Sequence, residues 1–188
     1  MPRLETFRLL LRPPDYRDVA AITTWLGDYD VAKNLATVPH PYREEDAHAF
    51  IGRTAEQLAR GEGYCFTIER KEDGVLVGNC SLKLKDGRYE LGYWIAKQYW
   101  GRGYATEAVR RLTAFAFRDL KADSLRAGWY HDNPASGRVL EKVGFLPDGA
   151  EPRGCLARGH EVYCHLTALT RADFGRKRSP VAAGAEAR

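Results

Sequence analysis

The sequence contains few cysteines, and their spacing matches no familiar cross-linked or metal-binding pattern. Four occur among 188 residues, at Cys65, Cys80, Cys155 and Cys164. In a chain of this length, such spacings fit neither a disulfide framework nor a zinc site. We therefore expect four buried, reduced thiols, no catalytic cysteine and no bound metal.

Long apolar runs are also absent, and the charge is nearly balanced. Arg3, Arg8 and Arg12 interrupt the N-terminal segment, which leaves no stretch long enough for a signal peptide or a membrane span. The net charge is +4, but five basic and two acidic residues fall in the last eighteen positions. The rest is almost neutral, which argues against direct nucleic-acid binding and predicts a cytoplasmic protein that binds no membrane.

Length and apolar content define the expected domain organisation. With 188 residues, 44% of them hydrophobic, the chain can bury one substantial core. We expect a single domain over residues 1–174. Residues 175–188 are rich in glycine, arginine, alanine and proline, and their composition predicts a disordered basic tail.

Hydrophobic periodicity predicts a fold of the α/β (α+β) class. Strand-like patterns cover residues 7–12, 64–69, 75–85, 88–96, 124–130 and 162–169. Asp73-Gly74 and Asp86-Gly87 are typical hairpin turns, so three of these strands should form an antiparallel meander. A helical pattern separates the fourth and fifth strands, which predicts a parallel pair joined by a right-handed crossover.

One strand leads directly into a turn that contains two glycines. Residues 89–95 form the strand, Gly101 and Gly103 lie in the turn, and a helical pattern follows. Glycines let the main chain approach a ligand, and a first helical turn offers unpaired N–H groups at the positive end of the helix dipole. This arrangement favours a phosphate. The P-loop pattern is absent, and Thr106 stands where a dinucleotide fingerprint has glycine or alanine.

A third phosphate-binding pattern, Gln-x-x-Gly-x-Gly/Ala, is matched by Gln98, Gly101 and Gly103. It resembles the acetyl-CoA pyrophosphate loop of the GNAT N-acyltransferases. Together with residues 4–13 and 133–145, the loop closely resembles the RimJ/RimL branch of that superfamily, over nearly the whole fold. The resemblance implies an acetyl-CoA-dependent N-acetyltransferase. It also implies a mixed, twisted sheet of about six to seven strands, flanked by helices, with the cofactor where two central strands splay apart.

The resemblance assigns most cofactor contacts to the main chain. N–H groups from residues 100–105 would hold the diphosphate, and Trp94 and Ile95 would pair with the pantetheine amides as an added strand would. Asn133 would bind the cofactor arm, or cap the helix that follows it, and the two roles are compatible. The residues implied to contact acetyl-CoA are Trp94, Ile95, Gln98, Trp100, Gly101, Arg102, Gly103, Tyr104, Ala105, Thr106, Asn133, Ser136 and Lys142.

The implied chemistry is direct attack of an amine on the thioester. Glu90 is the first candidate for the base, directly or through a water, and a cross-strand charge pair is its alternative role. A main-chain N–H near residues 94–96 would stabilise the oxyanion. Ser136 is the candidate contact to the sulfur, although the tyrosine acid of other GNAT branches is missing from its segment. His131 is an alternative base, or a structural residue at a strand end.

The sequence defines the acceptor less closely. The RimJ/RimL resemblance favours a protein N-terminal α-amine, as in ribosomal-protein acetylation. At pH 7, an α-amine of pKa about 7.8 is neutral in roughly one molecule in ten, and a lysine amine of pKa about 10.4 in about one in two thousand. Alternatives are a small-molecule or antibiotic acetyltransferase and a non-catalytic acyl-CoA sensor. Both a monomer and a homodimer are compatible with the sequence, and the loop at residues 34–42 would determine specificity.

Overall fold

The computed structural model describes residues 1–176. The strands of this part of the chain are β1 (Leu4–Glu5), β2 (Leu9–Arg12), β3 (Gly63–Arg70), β4 (Leu76–Lys85), β5 (Arg88–Ile95), β6 (Ser124–Tyr130), β7 (Leu146–Cys155) and β8 (His160–Thr170). The α-helices are α1 (Val19–Leu26), α2 (Tyr29–Ala32), α3 (Glu44–Ala59), α4 (Tyr104–Arg118), α5 (Pro134–Val143) and α6 (Arg171–Gly175). The tail predicted at 175–188 lies outside the described residues, apart from Gly175 and Arg176.

The strands form one sheet in the order β1-β2-β3-β4-β5-β6-β8-β7. Neighbouring strands are antiparallel, except that β5 and β6 are parallel and are joined through α4. The structure thus confirms the predicted meander of β3, β4 and β5 and the predicted crossover. No helix in residues 1–176 combines the length and the apolar character needed to cross a membrane.

The sheet has eight strands, against the six to seven predicted. β1 contains two residues, too few for a recognisable alternation. β7 is an edge strand, paired with β8 alone, and most of its residues are exposed. It contains Pro147 and Pro152, which an edge position tolerates because proline has no N–H to donate. A strand of this kind leaves no apolar pattern in the sequence.

Two helical layers cover opposite faces of the sheet. Helices α4 and α5 pack on one face with the main core, and α1 and α3 pack on the other with a second cluster. On α4, Val109, Leu112 and Ala116 form an apolar stripe at helical spacing and are completely buried. Burial of a large aliphatic side chain contributes roughly 1.5–3 kcal/mol. Tyr93 contacts the α4 and α5 layer, whereas Trp94 contacts the α1 and α3 layer, so adjacent β5 residues serve opposite faces.

A buried ion pair anchors the N-terminal part of the fold. The Nη1 and Nη2 atoms of Arg12 donate to both carboxylate oxygens of Asp18, at 2.8 and 2.7 Å, and its Nε donates to Glu69 at 2.7 Å. Both Arg12 and Asp18 are about 5% exposed or less. Asp18 also completes a capping box with Asp15. The four cysteines are free and buried, as predicted.

The two central strands separate part-way along their length. β5 pairs with β6 only at Tyr89, Glu90 and Leu91. Beyond Leu91, β5 remains paired with β4 as far as Ile95, while β6 remains paired with β8 as far as Tyr130. Each strand therefore follows its other neighbour, and an opening forms between them. The structure confirms the predicted splay of the central strands.

Candidate active site

A cavity of about 490 Å³ occupies the opening between β5 and β6. Residues from both faces of the sheet line it. On the face covered by α4 and α5 these include Tyr93, Asn133 and Ser136, and on the opposite face they include Glu90 and Arg153. One continuous cavity therefore connects the two faces at the splay, so two molecules could meet there from opposite sides.

The main chain of β5 presents hydrogen-bonding groups to this cavity at alternate residues. The N–H of Ala96 donates to Val77 of β4 at 2.9 Å, and a Cβ on Gly78 of β4 would lie 2.2 Å from the carbonyl oxygen of Trp94. The main chains of Trp94 and Ala96 therefore face β4. By the alternation of an antiparallel ladder, those of Tyr93 and Ile95 face the splay. This differs from the sequence-based expectation, which included Trp94 among the main-chain partners.

The glycine turn places the start of α4 at one end of the cavity. Gly101 and Gly103 have φ angles of +74° and +80°, which a residue with a side chain adopts only at a cost. The first intrahelical bond of α4 runs from the N–H of Glu107 to the carbonyl of Gly103, at 3.1 Å. The N–H groups of residues 104–106 precede this bond and have no acceptor within the helix. They form, with the helix dipole, a site suited to an anion.

Arg8 holds this turn in place, a role that the sequence analysis missed. Its Nη1 donates to the carbonyl oxygen of Arg102 at 2.9 Å, and its Nε donates to Glu107 at 2.7 Å. Burial alone would raise the pKa of the Glu107 carboxyl, but hydrogen bonds from Thr6 and Arg8 lower it. The acidic side chain of the first helical turn is thereby kept as a carboxylate that is paired with Arg8. Nothing in the local sequence pattern links Arg8 to a turn about a hundred residues away.

Helix α5 begins at the other side of the cavity. Asn133 is its N-cap and accepts from the N–H of Ser136 at 3.3 Å, so the capping role considered from the sequence is observed. The hydroxyl of Ser136 lies 2.7 Å from the Tyr93 hydroxyl. Tyr93 also donates to the carbonyl oxygen of Ser136 at 3.0 Å. The first turn of α5 is thus tied to the splayed segment of β5.

Comparison with known proteins assigns this arrangement to a family. Residues 8–146, most of the chain, match the family model for the acetyltransferase (GNAT) domain. The chain belongs to the GNAT family. It is an N-acetyltransferase that uses acetyl-CoA as the acyl donor.

Individual relatives agree with this membership. The uncharacterised N-acetyltransferase YoaA of Bacillus subtilis (strain 168) is 30% identical over 156 residues, which cover 79% of this chain and 85% of YoaA. The [ribosomal protein uS5]-alanine N-acetyltransferase of Escherichia coli (strain K12) is 25% identical over 184 residues, 92% of either chain. The structure of Mycobacterium smegmatis RimJ, solved in complex with CoA-disulfide, has a TM-score of 0.82 at 21% identity, covering 93% of this chain and 90% of RimJ. It shows the same fold.

Most residues predicted for the GNAT site line the cavity. They are Glu90, Trp94, Ile95, Trp100, Gly101, Gly103, Tyr104, Ala105, Thr106, Asn133, Ser136 and Lys142. Gln98 and Arg102 are exposed and do not line it, although the carbonyl oxygen of Arg102 accepts from Arg8. His131 is also exposed and lies outside the lining, so this geometry does not favour it as the base.

Glu90 faces the cavity from the side opposite Ser136. Its Oε1 accepts from Nη1 of Arg153 at 2.5 Å, and Nε of Arg153 donates to Glu151 at 2.8 Å. The charge-pair role considered for Glu90 is therefore present, and its partner lies on β7, a strand that is not adjacent to β5. Arg153 lies on the edge strand that the sequence analysis missed, so its approach to Glu90 was not foreseen. Of the residues that line the cavity, Glu90 has the only carboxylate.

The loop after α2 closes the Glu90 side of this GNAT cavity. Asn34, Leu35 and Ala36 line the cavity. Arg158 fixes the start of the loop, because its Nε donates to the carbonyl oxygen of Lys33 at 2.7 Å while its Nη1 pairs with Asp132 at 2.8 Å. The loop that the sequence analysis associated with specificity is thus positioned at the cavity and held to the β6–α5 turn.

Proposed function

We propose that this GNAT enzyme transfers the acetyl group of acetyl-CoA to a protein N-terminal α-amine, by direct attack in a ternary complex. The observation that carries the proposal is the single cavity that reaches both faces of the sheet at the splay. Acetyl-CoA would enter from the α4 and α5 side and the amine from the side of Glu90 and the 34–36 loop. Transfer without a covalent enzyme intermediate needs such a meeting point.

The donor side offers groups for each part of acetyl-CoA. The N–H groups of residues 101–106 would bind the diphosphate, and the main chains of Tyr93 and Ile95 would pair with the pantetheine amides. Arg110, Arg111 and Lys142 line a second, open cavity beside the same turn. Their positive charge would attract the phosphate-rich end of the molecule.

The reaction then follows from the groups around the thioester. The amine nitrogen attacks the carbonyl carbon, and whichever of the N–H groups of Tyr93 and Ile95 is not paired with pantetheine would donate to the developing oxyanion. Glu90 would take the proton of the amine, directly or through a water, while Arg153 holds its other oxygen. The carbon–sulfur bond breaks last, and its electron pair stays on sulfur. A thiol of pKa about 8.5 leaves readily near neutral pH.

The charge of the acceptor side supports an α-amine. A lysine substrate has a pKa higher by about 2.6 units than an α-amine, so its deprotonation at neutral pH costs about 3.5 kcal/mol more. Glu90 is the one carboxylate in the cavity lining and is already paired with Arg153. A polyamine or aminoglycoside carries several positive charges and would require more carboxylates than this cavity provides. The E. coli relative, whose name specifies acetylation of an alanine of uS5, agrees with the α-amine.

Thiol release with matched amines tests the proposal. We would incubate the enzyme and acetyl-CoA with a peptide that has a free N-terminus and no lysine, the same peptide with a blocked N-terminus and one lysine, spermidine, and an aminoglycoside. Release above the hydrolysis background with the first peptide alone is expected. Release only with a small amine would overturn the choice of acceptor. Thermal stabilisation by acetyl-CoA without release for any amine would instead favour a non-catalytic sensor.

A further inference from the structure

The contact between Tyr93 and Ser136 joins two segments that both border the expected position of the thioester. Tyr93 lies on β5 at the splay, and Ser136 lies in the first turn of α5, 43 residues later. Both residues line the cavity. The main chains of Tyr93 and Ile95 face the same opening. A thioester whose carbonyl is bound there would therefore place its sulfur close to the hydroxyls of Tyr93 and Ser136.

The hydroxyl of Tyr93 is a permanent donor in this position. Burial raises the pKa of Tyr93 to about 12, so the phenol stays protonated at neutral pH. Its oxygen lies 2.7 Å from Oγ of Ser136 and 3.0 Å from the carbonyl oxygen of the same residue. The phenol has one hydrogen, so it can donate either to the carbonyl oxygen or to Oγ of Ser136, and in the second arrangement the hydrogen of Ser136 is free to point into the cavity.

We propose that Tyr93 is a positioning residue that orients the Ser136 hydroxyl as a hydrogen-bond donor to the departing coenzyme A thiolate. This inference rests on the proposed acetyl transfer and deepens it. Neither the resemblance to the RimJ/RimL branch nor the tyrosine acid of other GNAT branches assigns this role to a residue of β5. The tyrosine here reaches the site from the sheet rather than from the helix.

The step balances without a covalent change on either side chain. The carbon–nitrogen bond forms, the carbon–sulfur bond breaks, and its electron pair stays on sulfur as the thiolate. The amine proton goes to Glu90 or water. Complete transfer of a proton from Tyr93, through Ser136, to a thiolate would be strongly uphill, because the pKa of Tyr93, about 12, lies well above the pKa of about 8.5 of a thiol. Donation of a hydrogen bond stabilises the thiolate and avoids that transfer.

Binding of free coenzyme A tests the inference without an acceptor. If the enzyme stabilises the thiolate, the pKa of the bound thiol lies below its free value of about 8.5. The affinity for coenzyme A must then rise with pH up to that value, because the thiolate binds more tightly than the thiol. A pKa lowered by one unit corresponds to about a tenfold rise in affinity. Acetyl-CoA has no thiol to titrate and serves as the ligand control.

Other charged or titratable groups also face the cavity and could affect binding at different pH. They are Glu90 on β5, Tyr99 in the turn, Tyr104 on α4, Tyr130 on β6, Arg138 and Lys142 on α5, Arg153 on β7 and Cys164 on β8. Acetyl-CoA meets the same groups. The ratio of the two affinities, measured by calorimetry from about pH 7 to about pH 9, therefore isolates the thiol.

The variants are Tyr93→Phe, Ser136→Ala, their double variant, and Tyr89→Phe as a matched control. Tyr89 is also a half-buried tyrosine on β5 and on the same face, but it packs against Tyr64 and does not line the cavity. We expect the pH-dependent rise in the affinity ratio in the wild type and in Tyr89→Phe, and its loss in Tyr93→Phe and Ser136→Ala. Acetyl-CoA affinity should change less than twofold.

The outcome separates this inference from the proposed function. If the affinity ratio rises with pH in Tyr93→Phe as it does in the wild type, or if it does not rise in the wild type, the positioning role is overturned. The proposed acceptor is not affected by either result. No binding of either ligand would instead refute the proposed donor. With an amine that the enzyme acetylates, Tyr93→Phe should lower kcat about tenfold and leave KM for acetyl-CoA nearly unchanged. The double variant should be no slower than Ser136→Ala. If kcat of the double variant falls by the product of the two single-variant factors, Tyr93 does not act through Ser136.

Discussion

The replacement Gly103→Ala tests whether the turn at residues 101–103 binds the diphosphate of acetyl-CoA, as we propose. Gly103 caps α4 with a φ angle of +80°, and an added Cβ would lie 3.4 Å from Nη2 of Arg8, the side chain that holds the turn. A residue with a side chain pays roughly 1–2 kcal/mol to adopt this left-handed conformation. The turn must therefore either keep its shape under strain or relax to another conformation.

Both responses cost the same free energy, but the first lowers the stability of the protein and the second lowers its affinity for acetyl-CoA. If the turn keeps its shape, unfolding becomes easier by about 1–2 kcal/mol, which lowers Tm by roughly 2–8 °C in a chain of this length. If it relaxes, the N–H groups of residues 104–106 no longer converge, and restoring them on binding weakens the affinity for acetyl-CoA about 5- to 30-fold. We expect a relaxed turn, and hence the loss in affinity, because the turn is exposed.

Calorimetric titration with acetyl-CoA and thermal unfolding without ligand measure both quantities. The matched control is Gly74→Ala, which introduces the same change at a φ angle of +70° in the β3–β4 hairpin, where an added Cβ meets nothing within 4 Å. It should leave the affinity for acetyl-CoA unchanged, whether its own turn keeps its shape or relaxes. If Gly103→Ala unfolds at the wild-type temperature and binds acetyl-CoA as tightly as the control does, the turn does not hold the diphosphate.

Three further predictions concern the acceptor side and the folded state. Glu90→Gln should lower kcat about 100-fold near pH 7, and by a smaller factor at higher pH, where the amine loses its proton unaided. The control Glu151→Gln should keep the wild-type pH–rate profile. Equal pH–rate profiles for the two variants would remove Glu90 from the mechanism. Burial would raise the pKa of the Asp18 carboxyl, but hydrogen bonds from the Arg12 guanidinium lower it. The ion pair should therefore stabilise the fold fully above the unfolded-state pKa of about 3.9, and this stabilisation should be lost as pH falls through the folded-state pKa. Asp18→Asn should cost about 3–5 kcal/mol in denaturant unfolding at pH 7 and flatten this acid dependence, and an unchanged midpoint would refute the role of the ion pair. Gly137→Ala should lower stability by roughly 1–3 kcal/mol, because the new Cβ would lie 2.7 Å from the Trp129 ring; a Tm equal to the wild-type value would show that the ring moves freely.

The sequence was most informative where one local rule determined the structure. The α4 stripe of Val109, Leu112 and Ala116 follows the helical period, and the Asp-Gly pairs mark the hairpins of the meander. The positions of Gly101 and Gly103 follow from the need for positive φ in a tight turn. These features depend on residues within a few positions of one another, so their pattern survives in the sequence.

Features that depend on pairing between distant segments were not predictable in the same way. The contact of Tyr93 with Ser136 requires the placement of α5 on one face of β5, and the pairing of Glu90 with Arg153 requires the edge strand β7. Strand alternation places Glu90 and Trp94 on a common face, but it does not identify which main-chain groups of β5 are paired with β4. That distinction depends on the register of β4 with β5, in which Trp94 lies opposite Asn79.

A crystal structure of the enzyme with coenzyme A tests the central claim most directly. The diphosphate should lie within hydrogen-bond distance of main-chain N–H groups of residues 101–106, and the pantetheine arm should pass between β5 and β6 toward Ser136. A diphosphate bound elsewhere, or N–H groups of the turn directed away from it, would contradict the account.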